Sequence, residues 1–176
     1  MIPAVKDIIK TVNEGVPNMF AHITLREKGY SATIERYFNQ PRSEVWSWLT
    51  DNDKIPLWFP ELRVDTLRDG GLIKFNLGNG QFEEMVIIDF VENEVLEYTW
   101  GDDFVRFELV DYRGGCKLIF TEKMKVITEH TAKDLAGWHV CLDVISALIE
   151  GKSINRKNEW EKWFSHYVEE LQHFAS

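Results

Sequence analysis

The sequence predicts an α+β domain in which a curved antiparallel sheet of short strands wraps against one long, largely apolar helix. Three observations carry this. From Leu62 to Val126 the hydrophobic period is two, in runs 62–67, 72–77, 81–91, 94–100, 103–111 and 116–126. Turn residues punctuate those runs: Asp69-Gly70-Gly71, Gly78-Asn79-Gly80, Glu92-Asn93, Gly101-Asp102 and Arg113-Gly114-Gly115. From Thr131 to Gly151 the period changes to that of a helix. Strands gathered ahead of a helix, rather than alternating with helices, argue for an antiparallel sheet.

The long helix reads from its own residues. Thr131 with Asp134 has the spacing of a capping box, and Gly151 is a natural stop. Leu135, Trp138, Leu142, Ile145 and Ile149 form one stripe, and Ala136, Val140, Val144, Ala147 and Leu148 extend the apolar surface round the sides. Only the line through His139, Asp143, Ser146 and Glu150 is mostly polar, so the helix is covered on more than one side.

The other elements follow in chain order. Val5, Ile8, Ile9 and Val12 mark a short amphipathic helix over 3–13, ended by Gly15 and Pro17. Residues 19–27 read as a strand, and Lys28-Gly29 as a turn into a second strand, Tyr30–Phe38. Pro41 opens a short helix with Val45, Trp48 and Leu49 inward. The loop 52–60 is unusually apolar, holding Ile55, Leu57, Trp58 and Phe59. A last helix near 156–172 places Trp160, Trp163, Phe164, Tyr167 and Leu171 on one face. That face packs on its own domain or forms a homodimer contact. The reading is one domain over 1–176: an N-terminal extension 1–18, a core 19–151 and an extra C-terminal helix 152–176.

Composition narrows the function. A net charge of −9 opposes a general nucleic-acid binder and a surface that docks on anionic lipid. No apolar run is long enough to insert in a membrane, and no signal-peptide pattern stands at the start. Cys116 and Cys141 lack metal or redox spacing, so both are expected reduced, in a cytoplasmic protein. Seven Trp and eleven Phe supply large buried area and potential pocket walls.

Ordered motifs add a resemblance. They are Pro41-Arg42-Ser43-Glu44-Val45-Trp46 with Leu49-Thr50-Asp51, then Trp58-Phe59-Pro60 and Asp69-Gly70-Gly71. Leu96-Glu97-Tyr98-Thr99-Trp100, Gly137-Trp138-His139 and Cys141-Leu142-Asp143 complete the set. Over roughly residues 20 to 151 the chain resembles the START and birch-pollen-allergen (SRPBCC) superfamily. The branch it is most similar to is related to the C-terminal domain of the activator of the heat-shock protein 90 ATPase. The resemblance implies a helix-grip fold with a cavity between sheet and helix. It also leaves a chaperone partner open as an alternative role.

Strand alternation nominates the cavity residues. If Leu118, Phe120 and Met124 point inward, Glu122 does too; if Phe82, Val86 and Ile88 do, so does Glu84. A carboxyl among aromatics is either a polar handle or a general acid or base. Arg106 fits a cross-strand partner on the outer surface. His139, Asp143 and Ser146 fit a polar stripe at the helix edge, since three groups along one helix lack triad geometry. The glycine-rich turns are hairpins with no following helix to bind phosphate.

The function expected first is binding of an apolar or amphipathic small molecule, lipid-like or aromatic. Trp58, Phe59, Phe75, Tyr98, Trp100, Phe120, Trp138 and Leu142 would line its site, with Glu122 or Glu84 as the polar contact. The alternatives are a chaperone-interacting module and a cyclase- or dehydratase-type enzyme pairing an inward glutamate with Tyr98. No catalytic residue, metal or cofactor is assigned.

Overall fold

The computed structural model of the chain describes residues 20–174, so the helix expected over 3–13 lies outside the described residues. Eight strands are present: β1 (His22–Arg26), β2 (Gly29–Phe38), β3 (Leu62–Thr66), β4 (Leu72–Gly78), β5 (Gln81–Val91), β6 (Val95–Trp100), β7 (Asp103–Tyr112) and β8 (Gly115–Met124). They form one antiparallel sheet in the order β1-β2-β8-β7-β6-β5-β4-β3. Six strands are a simple meander, because tight turns join each to the next. The first hairpin then docks beside the last strand. Gly29 permits this close approach: a Cβ there would overlap the Met124 carbonyl. Register shifts at Val64/Thr66, Asn76/Gly78 and Ile87/Asp89 bend the sheet at β3–β5.

Among the described residues, three α-helices accompany the sheet: α1 (Arg42–Thr50), α2 (Thr131–Ile149) and α3 (Arg156–Leu171). This is the expected α+β helix grip, with the long helix α2 held by the sheet. Its stop is the expected one. Gly151 takes φ +70, Lys152 N–H donates to the Ala147 carbonyl (2.7 Å), and Gly151 N–H donates to that of Leu148 (3.1 Å). Its start differs. Thr131 Oγ1 accepts from the Thr128 amide (2.9 Å), ahead of the helix, so the capping box is not formed.

The inner face of the sheet carries Ile34, Val105, Phe107, Leu118, Phe120, Leu96 and Tyr98, all buried. In β5 the phase is opposite to the expected one. Met85 and Ile87 are buried, whereas Phe82, Val86 and Ile88 are exposed and Glu84 shares their outer face. Both sets are apolar, so alternation alone could not choose between them. The irregularity after Ile87 then returns Phe90 to the inside, against Trp46. Arg106 lies on the outer face as expected, bridging Asp89 (2.7 Å), Glu97 (3.4 Å) and Glu108 (3.0 Å).

α3 is capped by Asn155, whose side chain accepts from the Asn158 amide (3.1 Å). It buries Trp163, Tyr167 and Leu171 against its own domain, mainly α2, which removes them from a homodimer contact. The polar stripe of α2 is covered as a result. His139 is fully buried, stacked on Trp163 (3.8 Å) rather than standing at a helix edge. Its Nδ1 lies 2.7 Å from Tyr167 Oη, which accepts from the Ala21 amide (2.8 Å). Its Nε2 lies 3.2 Å from Asp143, to which Arg36 Nε of β2 donates (3.0 Å). This chain of polar contacts ties β2, α2 and α3 together, and each member is satisfied by the next.

Candidate functional site

Trp138 seats α2 on the sheet. Its ring lies 4.9 Å from Trp100, 5.0 Å from Phe120, 5.7 Å from Phe59 and 5.9 Å from Phe107. The middle of the grip is therefore filled, and the remaining space opens along the first half of α2 as two clefts. Phe75, Trp100 and Asp134 line both.

The first cleft has a volume of about 550 Å³. Phe59, Trp138 and Cys141 form its floor, Gly137 its helical wall and Trp160 of α3 its far side, with Lys133, Arg156 and Lys157 around it. The second, about 750 Å³, lies under the start of α2. It is lined by Met85, Glu122, Met124, the turn Gly101–Asp103, and Lys125, Val126, Thr128, His130 and Thr131 ahead of and at the start of α2.

Of the residues nominated from sequence, Phe59, Phe75, Trp100 and Trp138 face the first cleft, and Phe75, Trp100 and Glu122 the second. Trp58, Tyr98, Phe120 and Leu142 stand behind these walls, fully buried in the core. Trp58 is held by its own contacts. Its Nε1–H donates to the Trp48 carbonyl (2.7 Å), and its carbonyl accepts from Arg156 (2.8 Å). Gly137, Met85 and Trp160 were missed. A glycine inside an otherwise strong helix was a readable signal for Gly137; nothing local tells that Trp160 of a separate helix closes the cleft.

Glu122 is inward, as expected. It is 1% exposed, its cross-strand neighbours are Ala32 and Val105, and Oε2 has no hydrogen-bond partner among the described residues. Desolvation pushes its carboxyl well above the ordinary 4.5, and the charges of Asp134 and Asp103 push the same way. A protonated carboxyl is a donor as well as an acceptor. Tyr98 does not share its cleft. Its phenol is buried, raised by desolvation, and stacked on Phe107, so the acid–base pair suggested for an enzyme is not assembled. Burial pushes the Cys141 thiol up to about 12, which disfavours its thiolate. The arrangement offers aromatic walls and a buried carboxyl handle.

Comparison with known proteins supports the fold. The family described as activator of Hsp90 ATPase homolog 1-like protein matches residues 39–150. A conserved protein of unknown function, EF2215 from Enterococcus faecalis, is 26% identical and superposes with a TM-score of 0.80, over 90% of this chain and 94% of that one. CalU16 from Micromonospora echinospora is 22% identical, with a TM-score of 0.67 over 84% and 93% of the two chains. The Aha1 dimer from Colwellia psychrerythraea is 18% identical, with a TM-score of 0.57 over 70% and 98%. No curated protein matches the chain significantly.

Proposed function

Because this chain belongs to the family of activator of Hsp90 ATPase homolog 1-like proteins, we propose that it uses the SRPBCC-type grip to bind an apolar or amphipathic small molecule in the aromatic clefts beside α2. Gly137 carries the reading. Glycine inside a helix costs about 1 kcal/mol relative to alanine. Packing does not demand it, since an added Cβ would meet nothing within 4 Å. What its missing side chain keeps open is the first cleft.

Gly137→Leu is the test. It favours the helix and fills the cleft without touching the core. Tryptophan emission should change saturably when wild type is titrated with fatty acids, sterols and flavonoids, because Trp100, Trp138 and Trp160 line the cleft. The folded variant should give no response. A wild type silent to every class, or a variant that titrates like wild type, removes the proposal.

A second reading has its own observation. On the outer face of the sheet, Phe82, Val86 and Ile88 are 42%, 41% and 47% exposed along one strand, a surface suited to a protein partner. Under this reading the partner is an Hsp90-type chaperone. Wild type should stimulate its ATPase, and Val86→Ser with Ile88→Ser should abolish that. No stimulation by wild type ends the reading.

A further inference from the structure

The second cleft specifies the polar end of the ligand. A buried carboxyl oxygen without a partner is costly, and a ligand donor at that point would remove the cost. Glu122 supplies such an oxygen, and it lines the cleft. The surrounding wall decides which donor. Glu83, Asp102, Asp103 and Asp134 add four carboxylates, against Lys125 and His130. An anion entering there meets net repulsion. The N-terminus of α2 would favour an anion, but Asp134 in its first turn already occupies that field. A neutral hydroxyl gives one hydrogen bond and leaves the carboxylates facing one another. A protonated amine brings three donors and a charge that neutralises them. The indole of Trp100, on the same wall, also attracts a cation.

We propose that the second cleft binds the protonated amine end of an amphipathic ligand, whose apolar body lies along Phe75 and Trp100 into the first cleft. This rests on the small-molecule reading above. Isothermal titration calorimetry with decylamine, decanol and decanoate separates the two, because the three share one apolar body. Wild type should bind decylamine about tenfold tighter than decanol, equivalent to about 1.4 kcal/mol, and decanoate most weakly. Glu122→Gln, checked as folded by circular dichroism, should weaken decylamine binding and narrow its lead over decanol, with decanol unchanged; an undiminished lead overturns the role of Glu122. Asp134→Asn, at an exposed position, should lower decylamine binding in the same direction and serves if the first variant does not fold. Decanol or decanoate binding as tightly as decylamine overturns the amine assignment and leaves the cleft reading standing. No binding of any of the three overturns both.

Discussion

Replacing Trp138 by alanine is expected to destabilise the domain by about 3–5 kcal/mol, the range for truncating a large buried aromatic. Trp138 is 2% exposed and its ring meets four others, from the loop before β3, from β6, from β7 and from β8. Removing it leaves a void where helix and sheet touch, and the rigid aromatics around it cannot collapse into the space. Trp138→Phe should recover a substantial part of the loss. Urea denaturation of the two variants measures this. A loss under about 1 kcal/mol for alanine would mean that α2 is held by something other than this ring.

Glu122→Gln is expected to stabilise the protein at neutral pH, because the amide stays neutral where the buried carboxyl must either keep its proton or carry an unpaired charge. The pH dependence follows from the direction of the shift. An unfolded glutamate titrates near 4.5, and the folded one well above it. Above pH 4.5 the native state therefore holds more protons than the unfolded state. Wild-type stability falls as pH rises from there to the folded value, at up to about 1.4 kcal/mol per pH unit. In the variant this decline is absent.

His139 acts in the opposite sense. Desolvation holds it below its ordinary 6.5, against the pull of Asp143, so its contribution is complete above 6.5 and is lost as pH falls through the folded value. Burial tends to raise Asp143, but the His139 hydrogen bond and the Arg36 charge hold it below 3.8, which adds a loss at still lower pH. Between pH 4.5 and 6.5 the Glu122 and His139 effects oppose each other in wild type. Glu122→Gln should expose the His139 effect as a steeper rise of stability with pH. Urea midpoints from pH 4.5 to 8 test this, and parallel curves for wild type and variant would refute it.

Much of the fold is local in origin. The β5–β8 meander, the span of α2 and its stop at Gly151 follow from residue spacing and turn chemistry, and strand alternation in β8 placed Glu122 inside. β5 shows where such reasoning stops. Phe82, Val86 and Ile88 alternate as cleanly as Met85 and Ile87, and only pairing with β4 and β6 selects the inner set.

The candidate site was legible in part for the same reason. Phe59, Phe75, Trp100 and Trp138 were recognisable as aromatics on converging elements. Whether an aromatic lines a cleft or fills the core depends on side chains across the fold. Tyr98 and Trp100 share a face of one strand, yet only Trp100 reaches a cleft.

By itself the sequence determined the order and type of the elements over the described residues, the grip of sheet on helix and an inward carboxyl, because these depend on neighbours in the chain. Tertiary structure alone decided that α3 covers His139, that Trp138 closes the middle of the grip, and that two clefts remain beside Gly137 and Glu122. Those outcomes rest on contacts such as Ala21 with Tyr167, 146 residues apart, which no local pattern encodes.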